Sequence, residues 1–321
     1  MRSSLVLLAV LGALVVQASA TAQRTARVGI LGSMDDPRFA DLVNALRQGL
    51  ANHGHPPDAV TLVESQVPRG DSASARRAVE TFARQRVVSL FVVGTELTKI
   101  ARERAPEVPI VFITPGDPVR AGVVAGLGRP GRRTTGLTYE YPELSAKRLQ
   151  ILSELLPNAR RILAVYDPRD TSPRQGVEAA QEAAARLRLS LVVKEVRSRD
   201  ELLRGLDALT GIDAVLGIPG GVTAGHDALI VRHAHARRLP TVFPATSIAA
   251  SEAVISYGAT TVGIAHQVAR ALDKILKGVN AGDIPVERPS TLEFVLNMRV
   301  ARALGLTVPP SLRVRADRVI E

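Results

Sequence analysis

Apolar residues along the chain fall into short unbroken runs, separated by longer stretches with helical spacing. Val28, Ile30 and Leu31 form a first run closed by Gly32. Behind it, Phe39, Leu42, Val43, Leu46 and Leu50 recur at three- and four-residue intervals, which predicts a helix over 39–50. Pro37 stands where a first-turn proline would, with Asp35 or Asp36 as its cap. The unit repeats, with strands expected at 60–63, 87–93, 109–113 and 135–138, helices at 73–86 and 96–104, and a weak element at 122–127. The pattern then restarts. Helices are expected at 143–156, 173–187, 199–209 and 224–238, and strands at 161–166, 189–196, 214–218, 241–243 and 253–257. A helix at 261–277, a strand at 291–296 and a helix at 299–304 close the series.

Strands and helices alternating at this spacing predict an α/β protein with parallel sheets covered by helices on both faces. About ten strands are many for one open sheet, whereas two sheets of about five fit the length. The expected fold is therefore two doubly wound parallel-sheet lobes around a cleft. Ligands of such sheets bind beyond the carboxyl ends of the strands. Those ends carry Ser33, Gly94-Thr95-Glu96, Thr114 to Asp117, Thr138-Tyr139, Tyr166-Asp167, Asp170 to Ser172, Gly220-Gly221, Thr246-Ser247 and Tyr257-Gly258. Hydroxyls, glycines and helix N-termini hold small anions through hydrogen bonds and the helix dipole. The same residue types also cap helices in any α/β protein.

Composition narrows the function. The 321 residues contain no Cys, which removes disulfides, thiolate metal sites, a Cys nucleophile and a lipid-modified N-terminal Cys. The net charge is +10, but the Arg residues are scattered with no run longer than two, so they read as solvated helix faces and not as a nucleic-acid site. Ten aromatic residues are too few for a wide base-stacking platform. At the N-terminus, Arg2 precedes an apolar run from Leu5 to Val16, and Ala18-Ser19-Ala20 or Ala20-Thr21-Ala22 follows as an A-x-A site. This predicts a cleavable signal peptide over 1–22, export to the periplasm, and a mature protein that is not a lipoprotein.

Catalytic motifs fail. Gly126 to Gly131 fits G-x-G-x-x-G, but Pro130 and two Arg follow, then a strand where a dinucleotide loop needs a helix. There is no phosphate-binding G-x-x-x-x-G-K-[ST] and no G-x-S-x-G elbow. His53 and His55, and His233 and His235, are two apart and point to different faces of a helix, so no metal site is expected. The expectation is no enzyme, no cofactor and no metal.

The chain resembles the solute-binding component of ABC-type importers, in the family that includes tryptophan- and tyrosine-uptake binding proteins. The resemblance spans about residues 25–321 and is carried first by Val111-Phe112-Ile113-Thr114-Pro115-Gly116-Asp117-Pro118-Val119, then by Thr134-Thr135-Gly136-Leu137-Thr138 and Leu152-Ser153-Glu154-Leu155-Leu156-Pro157. It continues in Leu272 to Gly278, Ile284 to Pro289, Phe294 to Asn297 and Ala303 to Leu312. It implies a class I periplasmic binding protein fold with three crossings, placed near 138–143, 249–254 and 282–290. The first lobe would hold 25–140 plus 254–282, and the second 141–253 plus 283–321. It also implies a monomer whose cleft closes on a small solute, amino-acid-like or carboxylate, and which then docks on a membrane permease with its ATPase. A periplasmic ligand-sensing subunit of a membrane receptor shares the fold and is the alternative.

Two departures bear on the ligand. Arg133 stands at the Asn of the family's N-x-T-G strand, and Gly220-Gly221 occupy a loop where amino-acid-binding members carry an acid. A buried ammonium needs such a partner, so Asp117, Asp167 or Asp170 would have to replace it. Tyr139, Tyr166, Tyr257 and Phe243 fit lobe core and pocket wall equally. The candidate ligand-binding residues are Ser33, Thr95, Asp117, Thr138, Tyr166, Ser172, Gly220, Thr246 and Tyr257. Hydroxyls and backbone amides would orient the solute, and the tyrosines would cover it.

Overall fold

Val28, Ile30 and Leu31 are fully buried in β1 (Ala26–Ser33), the strand on which the first half of the molecule is built. A computed structural model describes residues 25–321, apart from 35, 37, 141, 208, 209 and 247. The expected signal segment at 1–22, and the Asp35 and Pro37 expected to start the first helix, lie outside the described residues. The chain continues through α1 (Phe39–Asn52), β2 (Val60–Val67), α2 (Ser72–Arg84), β3 (Ser89–Val93), α3 (Thr95–Arg104), β4 (Ile110–Pro115) and β5 (Thr134–Glu140). These strands form one parallel sheet in the order β2-β1-β3-β4-β5. Strands covered on both faces read as near-continuous apolar runs, which is why β1, β3 and β4 were visible in the sequence.

The second half begins with α4 (Pro142–Leu155) and β6 (Arg161–Tyr166), then α5 (Thr171–Leu187), β7 (Ser190–Glu195) and α6 (Arg199–Asp207). It continues with β8 (Ala214–Gly217), α7 (Gly221–Ala224), α8 (Asp227–Ala236), β9 (Thr241–Phe243) and β10 (Ile255–Gly258). Helix α9 (Thr261–Leu276) returns to the first half, where Ile264, Ala265, Val268 and Leu272 join the core of α1, β1, β3 and β4. Gly49 of α1 permits the close approach, because a Cβ there would lie 2.8 Å from Ala269 Cβ. The chain ends with β11 (Glu293–Asn297), α10 (Met298–Ala303), α11 (Pro310–Arg315) and β12 (Arg318–Ile320).

Among the described residues the second sheet has seven strands, ordered β12-β11-β10-β9-β8-β6-β7, with only β10–β11 antiparallel. About five were expected. Helix α11 and strand β12 were not foreseen, because their short, half-exposed segments carry little periodicity. The segment expected as one helix at 224–238 is divided into α7 and α8, and 122–127 forms no regular element.

One boundary is corrected. The segment 254–282 was expected wholly in the first lobe, but β10 pairs with β9 and β11 in the second sheet, and only the part from Ala259 onward goes back. The crossing therefore lies near 258–261 and not near 249–254. Ile255 is fully buried in the second half's core, which fixes the strand there. The last crossing runs beside β5, where Glu287 N–H donates to Gly136 O at 3.0 Å and Thr138 N–H donates to Glu287 O at 3.0 Å. That pairing covers one edge of the first sheet.

Candidate functional site

The carboxyl ends of the two sheets face each other, and three cavities lie between them. The first encloses about 320 Å³ and is walled by both halves, with Ser33, Gly94, Thr95 and Glu96 on one side and Asp167, Asp170 and Gly221 on the other. Ser33 ends β1, and Thr95 opens α3 behind Gly94, whose φ of +110° makes the sharp strand-to-helix turn. The loop after β2 adds Arg69 and Asp71. The second cavity, about 310 Å³, includes Asp117, Thr138, Gln175, Glu178 and Arg288. The third is small, about 20 Å³, and is lined by Asp36, Arg38, Tyr139 and Thr246.

Asp170 is the chemical centre of the first cavity. It caps α5, accepting from Ser172 N–H at 3.0 Å and from Gly221 N–H at 3.2 Å. Burial pushes its carboxyl above the usual range, and the charges of Glu96 and Asp167 push the same way. Asp167 goes in the opposite direction. Burial raises it, but hydrogen bonds from Arg169 and from Val222 N–H prevail and hold it low. Gly220 and Gly221, with φ of +122° and +55°, carry the backbone past these acids. A Cβ on Gly221 would lie 2.3 Å from Asp167 Cβ, so the two glycines make room for the carboxylates.

The third cavity holds a second arginine–carboxylate pair. Arg38 donates through Nε to Asp36 Oδ1 at 2.8 Å and through Nη2 to Asp36 Oδ2 at 3.0 Å. Its Nη1 crosses to the other half and donates to Thr246 O at 3.1 Å. Burial would pull Arg38 down and Asp36 up, yet each holds the other in its charged form.

The structure thus brings Ser33 and Thr95 into the first cavity, with Ser172 behind Thr95 at 2.9 Å between the hydroxyls. Gly220 lies beside Asp170 without lining the cavity; its neighbour Gly221 does. Asp117 and Thr138 lie in the second cavity, and Thr246 in the third. Tyr166 and Tyr257 line none of the three. Tyr166 packs in the second half's core with its hydroxyl donating to Glu195 at 3.0 Å. Tyr257 packs edge-on against Phe294, ring centroids 6.4 Å apart. Arg38, Arg69 and Gln175 were not singled out from the sequence, and Asp36 was read only as a helix cap. One signal was present, since Asp-Pro-Arg occurs twice, at 36–38 and 167–169, each time just after the first strand of a half.

Among the described residues no group of three or more His, Asp or Glu could hold a metal ion, and no helix is long and apolar enough to cross a membrane. Comparison with known proteins gives a consistent result. A family model described as "ABC transporter substrate binding protein" matches residues 27–320. A tyrosine-binding protein of Clostridioides difficile (strain R20291) is 20% identical over 280 residues, covering 87% of this chain and 81% of that protein. Among solved structures, an ABC domain from Streptococcus pneumoniae in complex with L-Trp superposes with a TM-score of 0.85, at 22% identity, covering 92% of this chain and all of the other. A ligand-free, open substrate-binding protein with adhesive properties from Clostridium difficile gives a TM-score of 0.69 at 20% identity, covering 92% of this chain and 99% of that one.

Proposed function

The chain belongs to the family of ABC transporter substrate-binding proteins, and we propose that it captures a small solute bearing a protonated amine, of the amino-acid class, in the cavity between its halves. The observation that carries this reading is Asp170. Its carboxyl faces a cavity of about 320 Å³ beside Asp167 and Glu96, and its hydrogen bonds come from backbone N–H groups. An ammonium placed there would relieve the like-charge crowding and the cost of burial. Ser33, the Thr95 hydroxyl and the N-terminal turn of α3 stand opposite, where a carboxylate fits. The names of the relatives, one binding tyrosine and one holding L-Trp, support the same class.

In this reading the protein is exported through its N-terminal segment and acts as a monomer. It hands its solute to a permease and ATPase, catalyses no reaction, takes no cofactor and binds no nucleic acid. The test is a thermal-shift screen of residues 23–321 against amino acids, small carboxylates, nucleobases and sugars. A solute at about 100 times its Kd should stabilise the fold by about 2.7 kcal/mol. Amino acids should shift the protein, and the same acids without the amine should not. Stabilisation by sugars or nucleobases alone would overturn the assignment.

A further inference from the structure

We propose that helix α5 carries a latch, centred on Gln175, that holds the two halves together through protein atoms alone. Ser172, Gln175 and Glu178 recur every three residues and so share one face of the helix. Each meets the first half. The Ser172 and Thr95 hydroxyls are 2.9 Å apart. Gln175 Oε1 accepts from Asp117 N–H at 2.6 Å, and its Nε2 donates to Asp117 O at 3.5 Å. At the rim, Arg120 Nη2 donates to Glu178 Oε2 at 2.9 Å.

The central pair is built for this contact. Gln175 is 2% exposed although it sits in a helix interior position that a lone glutamine would hold in water. Its partner loop is shaped in advance. Asp117 Oδ1 accepts from Val119 N–H at 2.8 Å, and Thr138 Oγ1 donates to Gly116 O at 2.5 Å. Gly116, with φ of +81°, allows the approach, because a Cβ there would lie 2.7 Å from Gln175 Oε1 and 3.0 Å from Ser172 Cα. None of these bonds requires a solute.

Gln175 does not line the first cavity, yet the helix it belongs to begins at Asp170, which does. The latch therefore sets how much of the protein is closed, while Asp170 and its neighbours set what is held. Apparent affinity scales with the closed fraction, so weakening the latch lowers affinity for every solute alike. Losing both Gln175 bonds and stranding Asp117 N–H should shift the closed-to-open ratio roughly tenfold or more.

The proposal takes its consequence from the solute-binding reading, but its test uses no solute, so the two can fail separately. The chain has no Cys, and a pair introduced by Glu80→Cys on α2 and Arg199→Cys on α6, both exposed, can be spin-labelled uniquely. Distances are measured by pulsed EPR in the dialysed protein. The expected result is one dominant short distance, with a longer population gaining about tenfold in Gln175→Leu. Thr95→Val, which removes one hydroxyl from the other half, should shift the same way by less. It keeps the test decisive if Gln175→Leu fails to fold. Unchanged distributions in the folded variants, or a dominant long distance with Gln175 in place, would overturn the latch.

Discussion

In the two Asp-Pro-Arg triplets the Arg makes the same hydrogen bonds to the Asp and serves different ends. In each, the Arg backbone N–H donates to the Asp Oδ1 at 3.0 Å. In each, the guanidinium folds back on the same carboxylate through Nε and Nη2. Arg38, however, has a side chain only 17% exposed and reaches across to Thr246 O. Arg169 is 59% exposed, and its Nη2 donates to Arg197 O at 2.8 Å within its own half. The short sequence brings the cation back to its own acid. Its surroundings decide whether the cation joins two halves or neutralises one acid at a cavity rim.

The sharpest way to break this comparison is to remove each cation. Arg38→Ala strands the buried charge of Asp36 and cuts a bond between halves, so denaturant unfolding should show a loss of about 3–5 kcal/mol. Arg169→Ala should lose less, about 1–3 kcal/mol, because Asp167 is as buried as Asp36 but keeps the Val222 N–H bond, and its solvated cation joins no second half. Equal losses would mean that burial does not separate the two pairs.

Asp170→Asn tests the acid that neither arginine neutralises. Asn keeps one oxygen for the Ser172 N–H, so α5 keeps its cap, but it loses the acceptor for Gly221 N–H. The wild-type carboxyl binds its proton more tightly folded than unfolded. Its contribution is therefore fully present below the ordinary value of 3.8 and is lost as the pH rises through the raised folded value. The stability of the Asn variant relative to wild type should thus rise as the pH goes from 3.8 towards 7, offset at every pH by the lost Gly221 N–H bond. Amine affinity, read by calorimetry, should fall at least about tenfold. Asp36 and Asp167 work in the other direction, since both are held low in the fold. Their stabilisation is present above 3.8 and fades as the pH falls through the depressed folded values, so unfolding midpoints should drop in that acid range. Thr246→Val should have the smallest effect, within about 0.5 kcal/mol. Its carbonyl receives Arg38, whereas its hydroxyl has no hydrogen-bond partner among the described residues.

Much of the fold could be read from apolar spacing, because most strands are buried runs and α1 and α9 carry clear stripes. What could not be read was the choice of partner. Ile255 to Gly258 looks the same in either sheet, and only its pairing with Thr241–Phe243 and Glu293–Asn297 decides the matter. The site divides the same way. Ser33, Thr95 and Ser172 were legible as hydroxyls at strand and helix ends. Tyr166 and Tyr257, expected to cover the solute, line none of the three cavities, because a strand's alternation does not say which face meets the cleft. Gln175 was invisible, since a glutamine inside a helix carries no mark of burial.

The return of α9 onto α1 also fixes when the first half can fold. The two helices are separated by more than two hundred residues, yet Leu46 and Leu50 share a core with Val268 and Leu272. A chain emerging from the ribosome through residue 140 has all five strands of the first sheet, but on the face that α9 will share it has only α1 as cover. The second half, by contrast, holds a continuous block from α4 to β10 that can collapse as it appears. The first half must wait, with that face only part covered, until α9 has been made, which makes that interval the chain's most aggregation-prone.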